Sequence, residues 1–164
     1  MALIIETGSI VAGADSFATV AEFATYAGNY GRAVPSDDEE VEALLRRAAL
    51  QMDALAWNGA LLSPYQSLSW PRYGVMIDGW AVPSNEVPAK VKLGQMALAA
   101  EIYADDSAPA ELKSGPIIRE KVGPLETEYG DAPRSLTKPV ATRQSTAFFA
   151  SYTGSPASLA MVRA

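Results

Sequence analysis

The sequence predicts a mainly α protein: a small helical bundle of three to four helices, with a short β-hairpin or ribbon and an extended C-terminal tail. Three observations carry this. Thr19 with Glu22 and Ser36 with Glu39 are capping boxes, and each opens a run of helix-spaced apolar residues. A third run, about 86–104, is apolar on two sides. Between 117 and 129, apolar and charged residues alternate with a period of two. At 164 residues one domain is expected. It is read as a single helical domain over 1–153 with a β-ribbon near 117–129, followed by a flexible tail over 154–164.

In chain order, Leu3-Ile4-Ile5 reads as a short edge strand or arm, and Gly8, Gly13 and Asp15 as loop. Val20, Phe23, Ala27 and Tyr30 give a first helix over about 20–30, stopped near Gly31. Asp37, Asp38, Glu39, Glu40 and Glu42 crowd the start of a second helix, where carboxylates favour the positive end of the helix dipole. Successive helical residues point to different sides, so this acidic run reads as a solvated helix start and not as a metal or acid–base site. Val41, Leu44, Leu45, Ala48, Ala49, Met52, Leu55 and Ala56 form its apolar face, predicting a helix over 37–57 closed by Asn58-Gly59.

Ser67 to Pro88, SLSWPRYGVMIDGWAVPSNEVP, links the second and third helices. Pro71 bars a helix and pushes Trp70 toward extended geometry. Asp78-Gly79 lies between Val75-Met76-Ile77 and Trp80-Ala81-Val82, a hairpin signal, and Pro83 ends the second strand. Ser84 or Asn85 is expected to cap the third helix, with Pro88 in its first turn. That helix presents Ala89, Leu93, Met96, Ala97, Ala100, Tyr103 and Ala104 on one side and Val91, Leu98 and Ile102 on another, so it is expected to be central. Two strands, 117–122 and 125–129, follow, joined by Gly123-Pro124, with basic and acidic residues placed to pair across. Thr137 is expected to cap a short helix starting at Pro139, with Val140, Ala147 and Phe148 on its apolar side.

Composition narrows the chemistry. With no Cys and no His, disulfides, thiolate or imidazole metal sites, and Ser-His-Asp or Cys-His catalysis are excluded. No phosphate-binding glycine loop is present. No enzyme, metal or cofactor is expected. There is no run of eighteen apolar residues to span a membrane, and MALIIETGS lacks a basic leader. Thirteen Lys and Arg stand against nineteen Asp and Glu, a net charge of −6 that divides as −8 over the first 109 residues and +2 over the rest. An acidic body repels nucleic-acid phosphate.

Several stretches resemble a family of small proteins from the head-to-tail gene cluster of tailed bacteriophages and prophages. These are head-tail connector, adaptor or head-completion proteins, and some members carry the label DnaT-like single-stranded-DNA-binding protein. The matching pieces begin with Leu3-Ile4-Ile5-Glu6 and Gly8, then Ala14-Asp15-Ser16-Phe17. They continue with Arg46-Arg47-Ala48-Ala49, Met52-Asp53 and Trp57. Leu68-Ser69-Trp70-Pro71-Arg72 with Gly74-Val75, Asp78-Gly79, Val82-Pro83 and Val87-Pro88 is the most specific run. Lys90-Val91-Lys92, Ala97-Leu98-Ala99-Ala100, Glu120-Lys121-Val122-Gly123-Pro124-Leu125 and Glu128-Tyr129 complete it, over about residues 1–130. Beyond 135 the chain departs, being rich in Thr, Ser and Ala where the family often ends in a leucine-rich helix.

The resemblance implies a homo-oligomeric ring, typically of twelve subunits, in the virion neck, assembled in the host cytoplasm. Its partners would be the portal protein and a tail terminator, stopper or other neck protein. Double-stranded DNA would pass through the lumen without specific binding, and no membrane is involved. Contact is expected from Trp70, Pro71, Arg72 and Trp80, and from Ser155, Pro156, Leu159, Met161, Val162 and Arg163 in the tail. The alternative is that Trp70 and Trp80 are buried supports for the linking segment, and for Trp70 that alternative is the favoured one. The competing function is single-stranded-DNA binding, with fourteen aromatics for stacking and Arg72, Lys90, Lys92, Lys113, Arg119 and Lys121 as its basic cluster.

Overall fold

The computed structural model describes residues 2–108, 111–112, 117–121, 126–129, 136–137 and 143–154. The protein is mainly α, with four helices and small antiparallel strand pairs. It divides into two compact units, Met1–Tyr103 with Thr142–Ala164, and Ala104–Ala141. No described helix is long and apolar enough to cross a membrane.

In the first unit the N-terminal arm makes a parallel bridge, Ile5 to Ser16. The buried Glu6 carboxylate gathers the loop behind it, accepting from the N–H groups of Gly8 (2.7 Å), Ile10 (3.1 Å) and Val11 (2.8 Å). Helix α1, Val20–Tyr30, has the expected capping box: Glu22 N donates to Thr19 Oγ1 at 3.1 Å, and Thr19 N to Glu22 Oε2 at 2.8 Å. Gly31 ends it in the left-handed conformation. Its core stripe is Phe23, Tyr26 and Ala27, while Tyr30 remains exposed.

Helix α2 spans Asp38–Asp53, shorter at its C-terminal end than the expected 37–57. Its N-cap is Asp37, which accepts from Glu40 N at 3.2 Å, one residue beyond the expected Ser36. The helix stops early because Trp57 turns into the core. Trp57 Nε1 donates to Met52 O at 2.8 Å, taking a carbonyl that the next helical turn would otherwise use. Leu55 and Ala56, expected on the apolar face, are therefore exposed.

The linking segment forms two ribbons: β1 (Ala60–Leu61) with β2 (Arg72–Tyr73), and β3 (Met76–Ile77) with β4 (Trp80–Ala81), both antiparallel. Asp78 and Gly79, with φ of 51° and 84°, make the expected turn between β3 and β4. The Trp70-Pro71 peptide is cis.

Helix α3, Ala89–Ser107, starts later than expected. Pro88 O accepts from Val91 N and Lys92 N, so Pro88 takes the N-cap place expected for Ser84 or Asn85. The residue before a proline is pushed out of helical geometry, which bars Val87 from extending the helix backward. Residues Gly94–Ile102 are all buried, so α3 is the central helix of its unit. Gln95 ties the layers together. Its Oε1 accepts from Phe17 N, and its Nε2 donates to Ser16 Oγ and Leu45 O, each at 2.9 Å. Gly94 allows close approach of Phe149, whose ring occupies the place a side chain there would take.

The last described helix, α4, is Ser145–Phe149. It is held by the buried Glu101, whose Oε1 accepts from Gln144 N and from Ser145 N (2.9 Å), and whose Oε2 accepts from Ser145 Oγ (2.7 Å). The expected helix from Pro139 with a Phe148 face is corrected on two points. Leu136–Thr137 form a strand, and the ring that is fully buried is Phe149, which meets Gly94, while Phe148 is half-buried against the core. The segment 138–142 lies outside the described residues.

In the second unit, β5 (Glu111–Leu112) pairs with β8 (Leu136–Thr137), and β6 (Ile117–Lys121) with β7 (Glu126–Tyr129). The latter is the expected ribbon. Its register sets Arg119 opposite Glu128 and Lys121 opposite Glu126, opposite charges on directly facing positions.

Candidate functional site

Residues 53–82 hold most of what the described surface offers a partner. Ten large hydrophobic side chains are exposed among the described residues, and seven lie in this stretch: Leu55, Leu61, Leu62, Tyr65, Tyr73, Met76 and Trp80. Trp80 is 80% exposed and Tyr65 91%. Scattered apolar residues are normal on a surface, but here most of them are gathered along one segment of chain. The cause is local. Both ribbons are two residues per strand, too short to bury a face of their own.

The four contact residues expected here divide. Trp80 stands out from β4 into solvent. Trp70 is 0% exposed and Pro71 is buried with it, so neither lies on the surface of the chain. Trp70 packs edge to face on Trp57 and Tyr152, which is the buried-support alternative. Arg72 is turned inward to the loop: its Nε donates to Asn58 O (2.8 Å), Nη1 to Ser69 O (3.2 Å) and Nη2 to Gly59 O (2.9 Å). Burial lowers its pKa from the usual arginine value. Gly59 sits at φ 68° under Tyr73 O and the Val75 side chain, where a Cβ has no room. Arg72 thus clamps two turns of the segment, a structural task. Ser155, Pro156, Leu159, Met161, Val162 and Arg163 lie outside the described residues. Gly154, read as the first tail residue, is tied by its N–H to Ala56 O at 2.8 Å.

The sequence reading missed Tyr65, Tyr73, Met76 and the Leu61-Leu62 pair. A signal was present: these apolar residues fall between turns too closely spaced for a strand long enough to bury them.

Beneath the segment lies a pocket of about 250 Å³, lined by Asp53, Leu55, Trp57, Leu61, Ser69 and Arg72 among others. Asp53 Oδ1 accepts from Ser69 N at 2.9 Å. Burial raises the Asp53 pKa, and the Ser69 N–H and hydroxyl hold it back in part. A second, more apolar groove of about 370 Å³ runs between α1 and α3, walled by Thr25, Tyr26, Tyr30, Leu93 and Met96.

The described cations are largely engaged. Arg46 pairs with Asp15 (2.6 Å) and Glu42 (3.3 Å), Lys92 with Glu22 (3.3 Å), and Arg143 lies 3.8 Å from Glu101. Of the proposed basic cluster, Arg72 and Lys92 are so occupied, Lys90 is exposed, Arg119 and Lys121 sit on β6, and Lys113 lies outside the described residues.

No curated protein and no solved structure matches the chain. One family model, described as "Putative DnaT-like ssDNA binding protein", matches residues 1–164. With the match running the length of the sequence, the chain belongs to this DnaT-like family.

Proposed function

We propose that the protein acts by binding rather than catalysis, and that residues 55–80 dock against other protein subunits in a head-tail connector ring. The observation that carries this is the concentration of exposed apolar side chains on that segment, Trp80 and Tyr65 foremost. An apolar patch on an acidic body suits a protein partner, because burying it removes water from hydrocarbon without asking the surface to neutralise phosphate. The resemblance in the Leu68–Arg72 to Val87-Pro88 run supports the same reading. Ring stoichiometry and contact with a portal are part of the proposal.

A second reading, single-stranded-DNA binding, has more direct support from the family description, which speaks of ssDNA and not of a virion neck. Exposed Tyr65, Tyr73 and Trp80 would serve as stacking platforms. Against it stands the scarcity of unengaged cations among the described residues.

One pair of measurements on the full chain separates the two. Native mass spectrometry of wild type and Trp80→Ala is expected to show an oligomer that the substitution weakens. Fluorescence anisotropy with oligo-dT is expected to show no tight binding. A monomer that binds oligo-dT tightly, and loses affinity steeply as salt rises from about 50 to 200 mM, would overturn the connector reading and establish the second.

A further inference from the structure

We propose that the groove between α1 and α3 receives Trp80 of a second copy of this chain, so that subunits join head to tail. The inference rests on the subunit-contact reading of residues 55–80 and adds the surface that receives them. The groove encloses about 370 Å³. Tyr26 and Met96 are its buried floor, with Leu93 half-buried beside them. Tyr30 forms a wall that is 47% exposed yet held on two sides, stacked on Tyr26 at 4.4 Å and edge-on to Phe148 at 6.4 Å. An indole entering the groove meets aromatic rings and a thioether, both favourable neighbours for it. Thr25 and Asn29, exposed at the rim, offer oxygen acceptors for the indole N–H.

Trp80 has the form of the guest. It stands 80% exposed on β4, next to the Asp78-Gly79 turn, so it does not fill the groove of its own chain. Each copy thus carries a projecting ring and a separate apolar groove. Identical subunits that meet through two different patches join head to tail, and such a contact repeats until it closes a ring. Charge favours the pairing. Asp78 is exposed at the hairpin turn, while Lys90 and Lys92 stand one turn before Leu93 and Met96 on α3. Glu22 on the opposite wall is already paired with Lys92 at 3.3 Å. The acidic turn therefore meets a basic helix start, although the first 109 residues carry −8. One aromatic ring buries about 150–250 Å², against the ~800 Å² per partner of a stable contact. Trp80 is then the anchor, and the exposed Tyr73 and Met76 of the same two ribbons add to the buried area.

The test is native mass spectrometry of the full chain as wild type, Trp80→Ala, Thr25→Arg, and the two variants mixed. Thr25 is exposed on α1 and lines the groove, so Thr25→Arg blocks the entrance with a residue that suits a helix. Ala21→Arg, at another exposed position of the same wall, repeats the block should Thr25→Arg lose the circular dichroism of the wild type. Wild type is expected to form an oligomer. Each variant alone is expected to associate about thirtyfold more weakly, the scale of a hot-spot tryptophan. Mixing restores one contact, between Trp80 of the Thr25→Arg chain and the open groove of the Trp80→Ala chain. The mixture should therefore give a 1:1 heterodimer and nothing larger. If the groove variants assemble as wild type does while Trp80→Ala does not, or if the mixture gives no heterodimer, the groove is not the receiving site and the subunit-contact reading stands without it. A monomeric wild type overturns both.

Discussion

Trp57 and Trp70 meet edge to face, their ring centroids 5.7 Å apart and their planes at 88°. Phe149 stands on the other side of Trp57 at 5.3 Å, and Tyr152 on Trp70 at 5.7 Å, both again near perpendicular. Four rings from three stretches of chain thus form one cluster: the end of α2, the linking segment and the residues around the end of α4. Each such pair adds about 0.5–1.5 kcal/mol beyond its buried area. The backbone follows the rings, with Trp57 bridging Thr153 and Asn58 N donating to Tyr152 O at 2.8 Å.

The two linking-segment tryptophans therefore answer differently to truncation. Trp70→Ala is expected to destabilise by about 3–5 kcal/mol, as loss of a large core ring does. Trp70→Phe should cost less, because Trp70 Nε1 has no hydrogen-bond partner among the described residues and its loss strands nothing. Trp80→Ala should fall within about 0.5 kcal/mol of wild type, since its ring stands in solvent. Urea unfolding checks all three, and comparable losses at Trp70 and Trp80 would contradict the assignment of one to the core and the other to the surface.

Much of this fold was legible locally. The Thr19–Glu22 box, the Gly31 stop, the Asp78-Gly79 turn and the 117–129 ribbon rest on short-range chemistry, and each stands where spacing put it. Errors came where a distant contact overrode a local signal. The α2 pattern runs on through Leu55, yet Trp57 finds partners in Trp70 and in the sequence-distant Phe149, and turns the chain out of the helix. Gln95 and Glu101 look like solvent-facing helix residues by type, but their partners, Phe17, Leu45 and Ser145, lie 43 or more positions away. The contact surface was half legible for the same reason. Burial was the favoured alternative for Trp70 from sequence, and packing against Trp57 and Tyr152 is what makes it so.

Gly94 and Phe149 are expected to behave as one unit. A methyl group at Gly94 would enter the Phe149 ring, so Gly94→Ala should cost about 1–3 kcal/mol despite the better helix propensity of alanine. Trimming the ring with Phe149→Leu should be destabilising alone, yet recover part of that loss when combined. A double-mutant cycle reads the coupling directly, and strict additivity would show that the two do not touch in solution.

Glu101 governs α4 more than the sequence of α4 does, for five residues are too few to hold a helix by themselves. Glu101→Ala strands the N–H groups of Gln144 and Ser145 and the Ser145 hydroxyl, a loss of about 1–3 kcal/mol for each left buried. Hydrogen exchange should show faster exchange at 145–149 while the α2 amides from Val41 to Met52 keep their protection. Uniform loss of protection across both would mean that α4 is no separate element of stability.

Glu22 supplies a pH-dependent link between α1 and α3. Burial pushes its carboxyl up, but the Thr19 N–H and the Lys92 ammonium outweigh that, and its pKa lies below the usual glutamate value. A carboxyl lowered in the folded state adds stability that is complete above its unfolded pKa and disappears as pH falls through the folded one. Glu22→Gln keeps a side-chain oxygen for the capping box and removes only the charge. At neutral pH the variant should be less stable by about 0.3–1 kcal/mol, the scale of a partly exposed pair. In acid, where Glu22 is itself protonated, the gap should close, and added salt should narrow it at neutral pH. Thermal unfolding of both proteins across that range reads the difference; a gap of constant size from neutral to acid pH would show that Glu22 acts through its shape and not its charge.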